Sequence, residues 1–209
     1  NAGKLSLSLD LSKPEAISVV HDLVSWADVV SESFSPKVMT GWGLGYEQLA
    51  KINSRVIMVS TCLNGQYGPL ASFAGYGNLG AALSGFYGLA GWPDRPPAGP
   101  FGAYTDYTST HFLVATILAA LDQQRRTESG AYIDLAQAEA AQHFISPALL
   151  DISANDYLLS RSGNDDGAMV PHGGFQCEGD DNWIAIAAVD DDAWQELCRV
   201  IERPDLETM

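Results

Sequence analysis

Arg55-Val56-Ile57-Met58-Val59-Ser60 is a continuous apolar run, rich in β-branched side chains and bounded by turn-forming residues. A strand with no polar face is covered on both sides, as in a parallel sheet flanked by helices. Outward from it, Asp28-Val29-Val30 reads as a short buried strand and Ala131-Tyr132-Ile133-Asp134-Leu135 as another. Helical patterns separate them. Pro14 stands in the first turn of a helix carrying Ile17, Val20 and Val24, and Tyr46 to Ile52 makes a short helix. Thr108 to Gln123 is a strongly apolar helix closed by Arg125-Arg126, and Ala136 to Leu149 is a further one. Strands alternating with helices at these lengths predict a Rossmann-like, doubly wound parallel α/β sheet.

The ends of the chain read differently. Leu5-Ser6-Leu7-Ser8-Leu9-Asp10-Leu11 alternates apolar and polar residues with the period of a half-covered strand. Ser160 to Gly167 is polar, acidic and turn-rich, the pattern of a linker. Trp183-Ile184-Ala185-Ile186-Ala187 is a strand, and Asp190-Asp191-Asp192 caps a helix over Ala193 to Ile201. The expected organisation is a large domain over 1–159, a linker over 160–170 and the start of a smaller α/β domain over 171–209. The chain opens in an incipient strand and stops just after this second unit begins, so it reads as a fragment of a longer protein.

Composition narrows the function. The 209 residues carry 11 Lys+Arg against 26 Asp+Glu, a formal charge of −15. Such a field repels phosphate backbones and anionic lipid, which argues against nucleic-acid and membrane-surface roles. No apolar run reaches the ~18–20 residues of a membrane span. Asn1-Ala2-Gly3-Lys4 has none of the pattern of a secretory leader. Cys62, Cys177 and Cys198 are odd in number and far apart, neither a disulfide framework nor a metal signature. A cytoplasmic protein without a metal site is the expectation.

Few residues carry chemistry. There is no Walker loop, Gly43-Leu44-Gly45 lacks the dinucleotide-binding spacing, and no Ser sits in a G-x-S-x-G elbow. His21, His111, His143 and His172 lie on unrelated segments, where structural histidines are the plainer reading. Residues 64–100 are crowded with Gly, Ala, Pro and aromatics and hold only Asp94 and Arg95 as charges. They read as loops and one helix, Ala81 to Leu89, lining a pocket. One carboxylate stands out. Asp106 falls among glycines and aromatics just before the apolar helix, where spacing alone makes it an N-cap. The alternative is a partly desolvated carboxylate at a loop-to-helix junction, able to attack a carbonyl.

Several segments, in order along nearly the whole chain, resemble the family III CoA-transferases, the formyl-CoA and carnitine CoA-transferase group. Asn64-Gly65-Gln66-Tyr67-Gly68-Pro69 is similar to their G-Q-x-G-P loop, and Gly102 to Leu121 to their Asp-headed helix ending L-A-A-L. Asn1-x-Gly3-Lys4, Leu9-Asp10-Leu11, Ala27-Asp28-Val29-Val30 and Gly43-Leu44-Gly45-Tyr46 also match. So do Thr127-x-x-Gly130-x-Tyr132-Ile133-Asp134, Pro171-His172-Gly173 and Phe175-Gln176-Cys177.

The resemblance implies a Rossmann-like large domain, a small α/β domain, and two chains interlocked as rings. It implies transfer of CoA from an acyl-CoA to a free carboxylic acid through an aspartyl-CoA thioester, with no permanently bound cofactor. The family's catalytic Asp falls on Asp106. Phe34 and Val38 fall on the segment that packs the adenine side of CoA, Tyr76 on an aromatic near the reacting thioester, and Lys37 and Gln66 on CoA-contacting segments. Where members often carry an Arg for the CoA phosphates, this chain has Gly41, and Lys37 is the nearby cation. Two alternatives stand beside the transferase. One is an α-methylacyl-CoA racemase of the same fold, whose acid/base His is matched here by Tyr76 in Gly75-Tyr76-Gly77-Asn78. The other is a non-catalytic CoA-binding or assembly module.

Overall fold

Strands β1 (Val29–Glu32), β2 (Ile57–Cys62) and β3 (Ala131–Ala136) form a parallel sheet in the order β1-β2-β3. Val29 pairs with Ile57 and Ile57 with Ala131, so β2 lies between the other two. The computed structural model describes residues 2–207; Asn1 and the Thr208-Met209 end lie outside the described residues.

Alternation along the central segment explains why it has no polar face. Val56 and Met58 join Val24, Leu44 and Leu49 in a core on one side of the sheet. Ile57 and Val59 meet Ala120 in a core on the other. The first core is closed by α1 (Pro14–Val24), α2 (Val38–Gly41) and α3 (Tyr46–Ile52), through Ile17, Val20, Met39 and Tyr46. The second is closed by a long helix that contributes Leu113, Ile117 and Leu121. The doubly covered parallel sheet expected from the sequence is therefore present.

The remaining elements are α4 (Gly77–Leu83), α5 (Phe86–Leu89), α6 (Tyr104–Thr127), α7 (Gln137–Gln142) and α8 (Ser146–Asn155). They are followed by the antiparallel pair β4 (His172–Gln176) and β5 (Trp183–Ala187), and by α9 (Asp191–Val200). As predicted, Asp190 caps α9, its Oδ1 accepting the Ala193 N–H at 2.8 Å. Among the described residues no helix is long and apolar enough to cross a membrane.

Several expectations need correction. Leu5–Leu11 is not a strand: Leu5 and Leu7 are 102% and 61% exposed, and among the described residues no strand pairs with the segment. Alternation specifies a strand only where a partner takes its backbone hydrogen bonds. The helix expected over Ala81–Leu89 is two helices, because Gly85 turns the chain at φ +104°. Ala136–Leu149 is broken by a 3₁₀ turn at His143–Ile145. Pro147 has no N–H to donate to the His143 carbonyl, which instead accepts the Ser146 hydroxyl at 2.7 Å. The apolar helix α6 begins at Tyr104, four residues before the expected Thr108, and runs on to Thr127.

The chain folds as two compact units. One comprises residues up to Phe86 together with Pro100–Leu149; the other comprises Tyr87–Gly99 and the chain from Leu150 onward. Within that second unit residues 160–167 are joined to residues 91–92 by hydrogen bonds. The Gly163 N–H donates to the Gly91 carbonyl at 2.9 Å and Arg161 Nε to the Trp92 carbonyl at 3.3 Å.

Candidate active site

Ligands of open parallel sheets bind beyond the carboxyl ends of the strands. Here a cleft of about 320 Å³ opens there. Its walls come from Ser33–Pro36 after β1, Thr61–Leu63 at the end of β2, the loop 71–76, Asp106 and Gln137. Phe34, Tyr76 and Asp106, three of the residues singled out from the sequence, thus line one cavity.

Asp106 is not an N-cap. Ala103 holds that position, and Asp106 lies in the first turn of α6, half-buried, with its own N–H donating to the Ala103 carbonyl at 3.0 Å. The exposed N–H groups and dipole of a helix start favour a carboxylate there. Close packing fixes this turn. A Cβ on Gly77 would stand 2.6 Å from the Ala103 carbonyl carbon, and one on Gly80 would stand 2.4 Å from Thr105 Oγ1. Only glycines let α4 approach α6 this closely. Thr105 is fully buried, its hydroxyl 3.2 Å from the Gly77 carbonyl.

Phe34 is presented by a second device. Glu32, 9% exposed, accepts the Phe34 N–H at 2.7 Å, and the Phe34 ring meets Trp42 edge-on at 5.3 Å. Tyr76 is 82% exposed and stands at the N-terminus of α4.

Lys37 and Gln66 line a separate cleft of about 520 Å³, with Glu32, Met39, Tyr46, Glu47, Met58, Ser60, Tyr67 and Tyr132 among its walls. Lys37 is exposed and left-handed at φ +73°, just before α2. Val38, the first residue of α2, lines neither cleft. The linings of the two clefts touch where Gln66 Nε2 lies 3.7 Å from Cys62 Sγ and where Glu32 accepts the Phe34 N–H.

The backbone of Gln66 shows why two distant motifs belong together. Its N–H points at both oxygens of Asp134, at 3.1 and 2.9 Å, so the Asn64–Pro69 loop is tied to the end of β3. Gly65 turns beneath that carboxylate at φ +76°. Burial foremost, then the charge of Asp134, raises the Cys62 thiol above its ordinary value.

In the second cleft, Tyr132 stacks on Tyr46 at 5.6 Å and donates its hydroxyl to Ser60 Oγ at 3.1 Å. Burial above all pushes the Tyr132 phenol up to about 12 against the opposing Ser60 hydrogen bond. A raised folded value means that the neutral ring is stabilised by folding. That contribution is complete below the unfolded value of ~10 and is lost as pH climbs through about 12. Urea unfolding at pH 9 and pH 11.5 should show a larger alkaline loss for wild type than for Tyr132→Phe. Equal losses would show that the ring does not titrate this way.

Sequence reasoning passed over Thr105, Gln137 and Cys62. Gln137 carried a usable signal, since it directly follows the carboxyl end of a parallel strand. Thr105 carried none, because its role depends on glycines 25 or more positions away.

Fold and cleft together define an α/β protein with a cleft at the strand carboxyl ends. The profile of CoA-transferase family III matches residues 1–209, and the chain belongs to that family. It is 36% identical over its whole length to acetyl-CoA:oxalate CoA-transferase of Acetobacter aceti, covering 53% of that protein. It is 30% identical over 98% of its length to succinyl-CoA–D-citramalate CoA-transferase of Chloroflexus aurantiacus, covering 51% of that one. A crystal structure of a CAIB/BAIF family protein from Brucella suis superposes on it with a TM-score of 0.82 at 29% identity. That match covers 99% of this chain and 54% of the other. The chain spans about half the length of the relatives it matches.

Proposed function

We propose that the intact protein transfers CoA from an acyl-CoA to a free carboxylic acid, with Asp106 as nucleophile. The observation that carries this reading is a half-buried carboxylate held in a helix's first turn and lining a cleft with Phe34 and Tyr76. A carboxylate oxygen of Asp106 attacks the thioester carbonyl carbon. The C–S bond breaks, leaving a mixed anhydride and CoA thiolate. The thiolate then attacks the Asp106 carbonyl and expels the donor acid, giving an aspartyl-CoA thioester. The acceptor carboxylate repeats the exchange in reverse and restores Asp106. Splitting the transfer this way exchanges bonds of similar energy at each step.

On this reading Tyr76 packs beside the reacting thioester, and so does Phe34, which lines the Asp106 cleft and is reassigned from the adenine side expected for it. Lys37, Val38 and Gln66 serve the nucleotide end of CoA, with Lys37 as the phosphate cation in place of the family's Arg. CoA is a substrate rather than a resident cofactor. The working assembly is an interlocked pair of chains in the cytoplasm. A racemase reading has less support, because Tyr76 stands where its histidine would be and a phenol of pKa ~10 is a poor proton shuttle.

The deciding experiment is covalent capture. Intact protein incubated with formyl-, acetyl-, propionyl- and succinyl-CoA is treated with hydroxylamine or borohydride and mapped by peptide mass. A mark on Asp106 is expected, since both reagents attack activated acyl groups and spare a free carboxylate. Solvent deuterium entering the substrate α-carbon with no mark on Asp106 would replace the transferase by the racemase.

A further inference from the structure

Gln137 opens α7 where β3 ends, and its side chain lines the cleft that holds Asp106. Its carboxamide oxygen lies 3.3 Å from the hydroxyl of the fully buried Thr105. That hydroxyl has one proton to give. The competing Gly77 carbonyl heads α4, where the helix itself supplies a donor four residues on. With its oxygen turned toward Thr105, the amide directs Nε2 away, and among the described residues Nε2 makes no hydrogen bond. The support behind it is firm. Ala138 N–H donates to the Leu63 carbonyl at 3.0 Å, and the Ser84 hydroxyl is 2.9 Å from the Ala138 carbonyl.

We propose that Gln137 is a further catalytic residue, its Nε2–H donating a hydrogen bond to the carbonyl oxygen of the acyl group under attack. This rests on the reading of Asp106 as nucleophile. As the Asp106 oxygen bonds to the carbonyl carbon, the π pair moves onto that oxygen, which becomes an alkoxide. Its return expels the thiolate, and Gln137 gives up no proton. A neutral donor suits this cleft. Among the described residues the lining contains no Lys, Arg or His, so none of them competes with substrate by pairing with the Asp106 carboxylate. An amide instead strengthens its bond only as charge develops on the substrate, which is how a preorganised donor lowers a barrier.

The test uses the intact protein and whichever of the four acyl-CoAs above the wild type turns over. Gln137→Met keeps the volume without a donor, and Gln137→Glu keeps the shape with acceptors only. Both should lower kcat about 100-fold with KM within about threefold and little change in melting temperature. A merely structural Gln137 would be rescued by Gln137→Glu, which can still accept from Thr105. Retention of more than a tenth of wild-type kcat by either variant would overturn the assignment. Hydroxylamine capture on the wild type separates the two levels. A marked Asp106 with active Gln137 variants removes Gln137 alone, while an unmarked Asp106 removes both.

Discussion

Asp106→Ala should lower CoA exchange by the intact protein more than about 100-fold while leaving it folded. The carboxylate sits in the first turn of α6 but does not cap it, so its loss removes only the favourable interaction with the helix dipole, about 0.3–1 kcal/mol. The turn itself is held by the buried Thr105 and by the contact of Gly77 and Gly80 with residues 103–105, none of which the substitution touches. Asp106→Asn is the stricter version, because it keeps the shape and removes only the nucleophilic charge. Exchange of labelled CoA, measured beside a thermal melt, separates chemistry from folding. A variant retaining more than a hundredth of wild-type exchange would show that another group attacks the thioester.

The largest effect on stability is expected from Gly130→Ala. A Cβ there would stand 2.1 Å from the Val56 carbonyl oxygen and 2.8 Å from the Arg55 carbonyl carbon. Both are backbone atoms at the start of the central strand, and they cannot swing aside as a side chain would. The same carbonyl accepts the Ala131 N–H at 3.3 Å, and Gly130 itself donates to Ser54 at 2.9 Å. Admitting a methyl group therefore means prising β3 from β2 at its first pairing. Overpacking of this kind costs about 3 kcal/mol. It should appear as a lower urea midpoint with an unchanged slope. A midpoint within experimental error of wild type would show that the strands part more easily than their spacing implies.

The sheet was legible in the sequence because its signals are local. The run ending in Ser60 and the Ala131–Leu135 segment are apolar and β-branched, and each lies within two residues of the observed strand. The capped helix after Asp190 was legible for the same reason. What failed depended on partners. Leu5–Leu11 has the alternation of a strand and nothing to pair with. Asp106 was placed before the helix because Thr108 opens the apolar periodicity, whereas the real start is set four residues earlier by Thr105 burying itself against Gly77. Phe34, Tyr76 and Asp106 were named together through family resemblance, and they do share a cleft. Lys37 and Gln66 were named on the same ground and line another one, a separation that residue type and order alone do not encode.

The close seating of α4 on α6 has a practical meaning for redesign. Gly77, Gly80 and Thr105 hold the turn that carries Asp106, the proposed nucleophile, and none of the three lines its cleft. Another part of the lining, residues 71–74, is largely exposed loop, whereas Gly75 packs against Leu79 and Leu63 and the Tyr76 carbonyl accepts the first N–H groups of α4. If Asp106 is the nucleophile, reactivity and selectivity are written in different parts of the chain. On the proposed function, a library confined to residues 71–74 should explore new acids while the helix pair behind Asp106 stays in place, whereas one that includes Gly77 and Gly80 should mostly return inactive proteins.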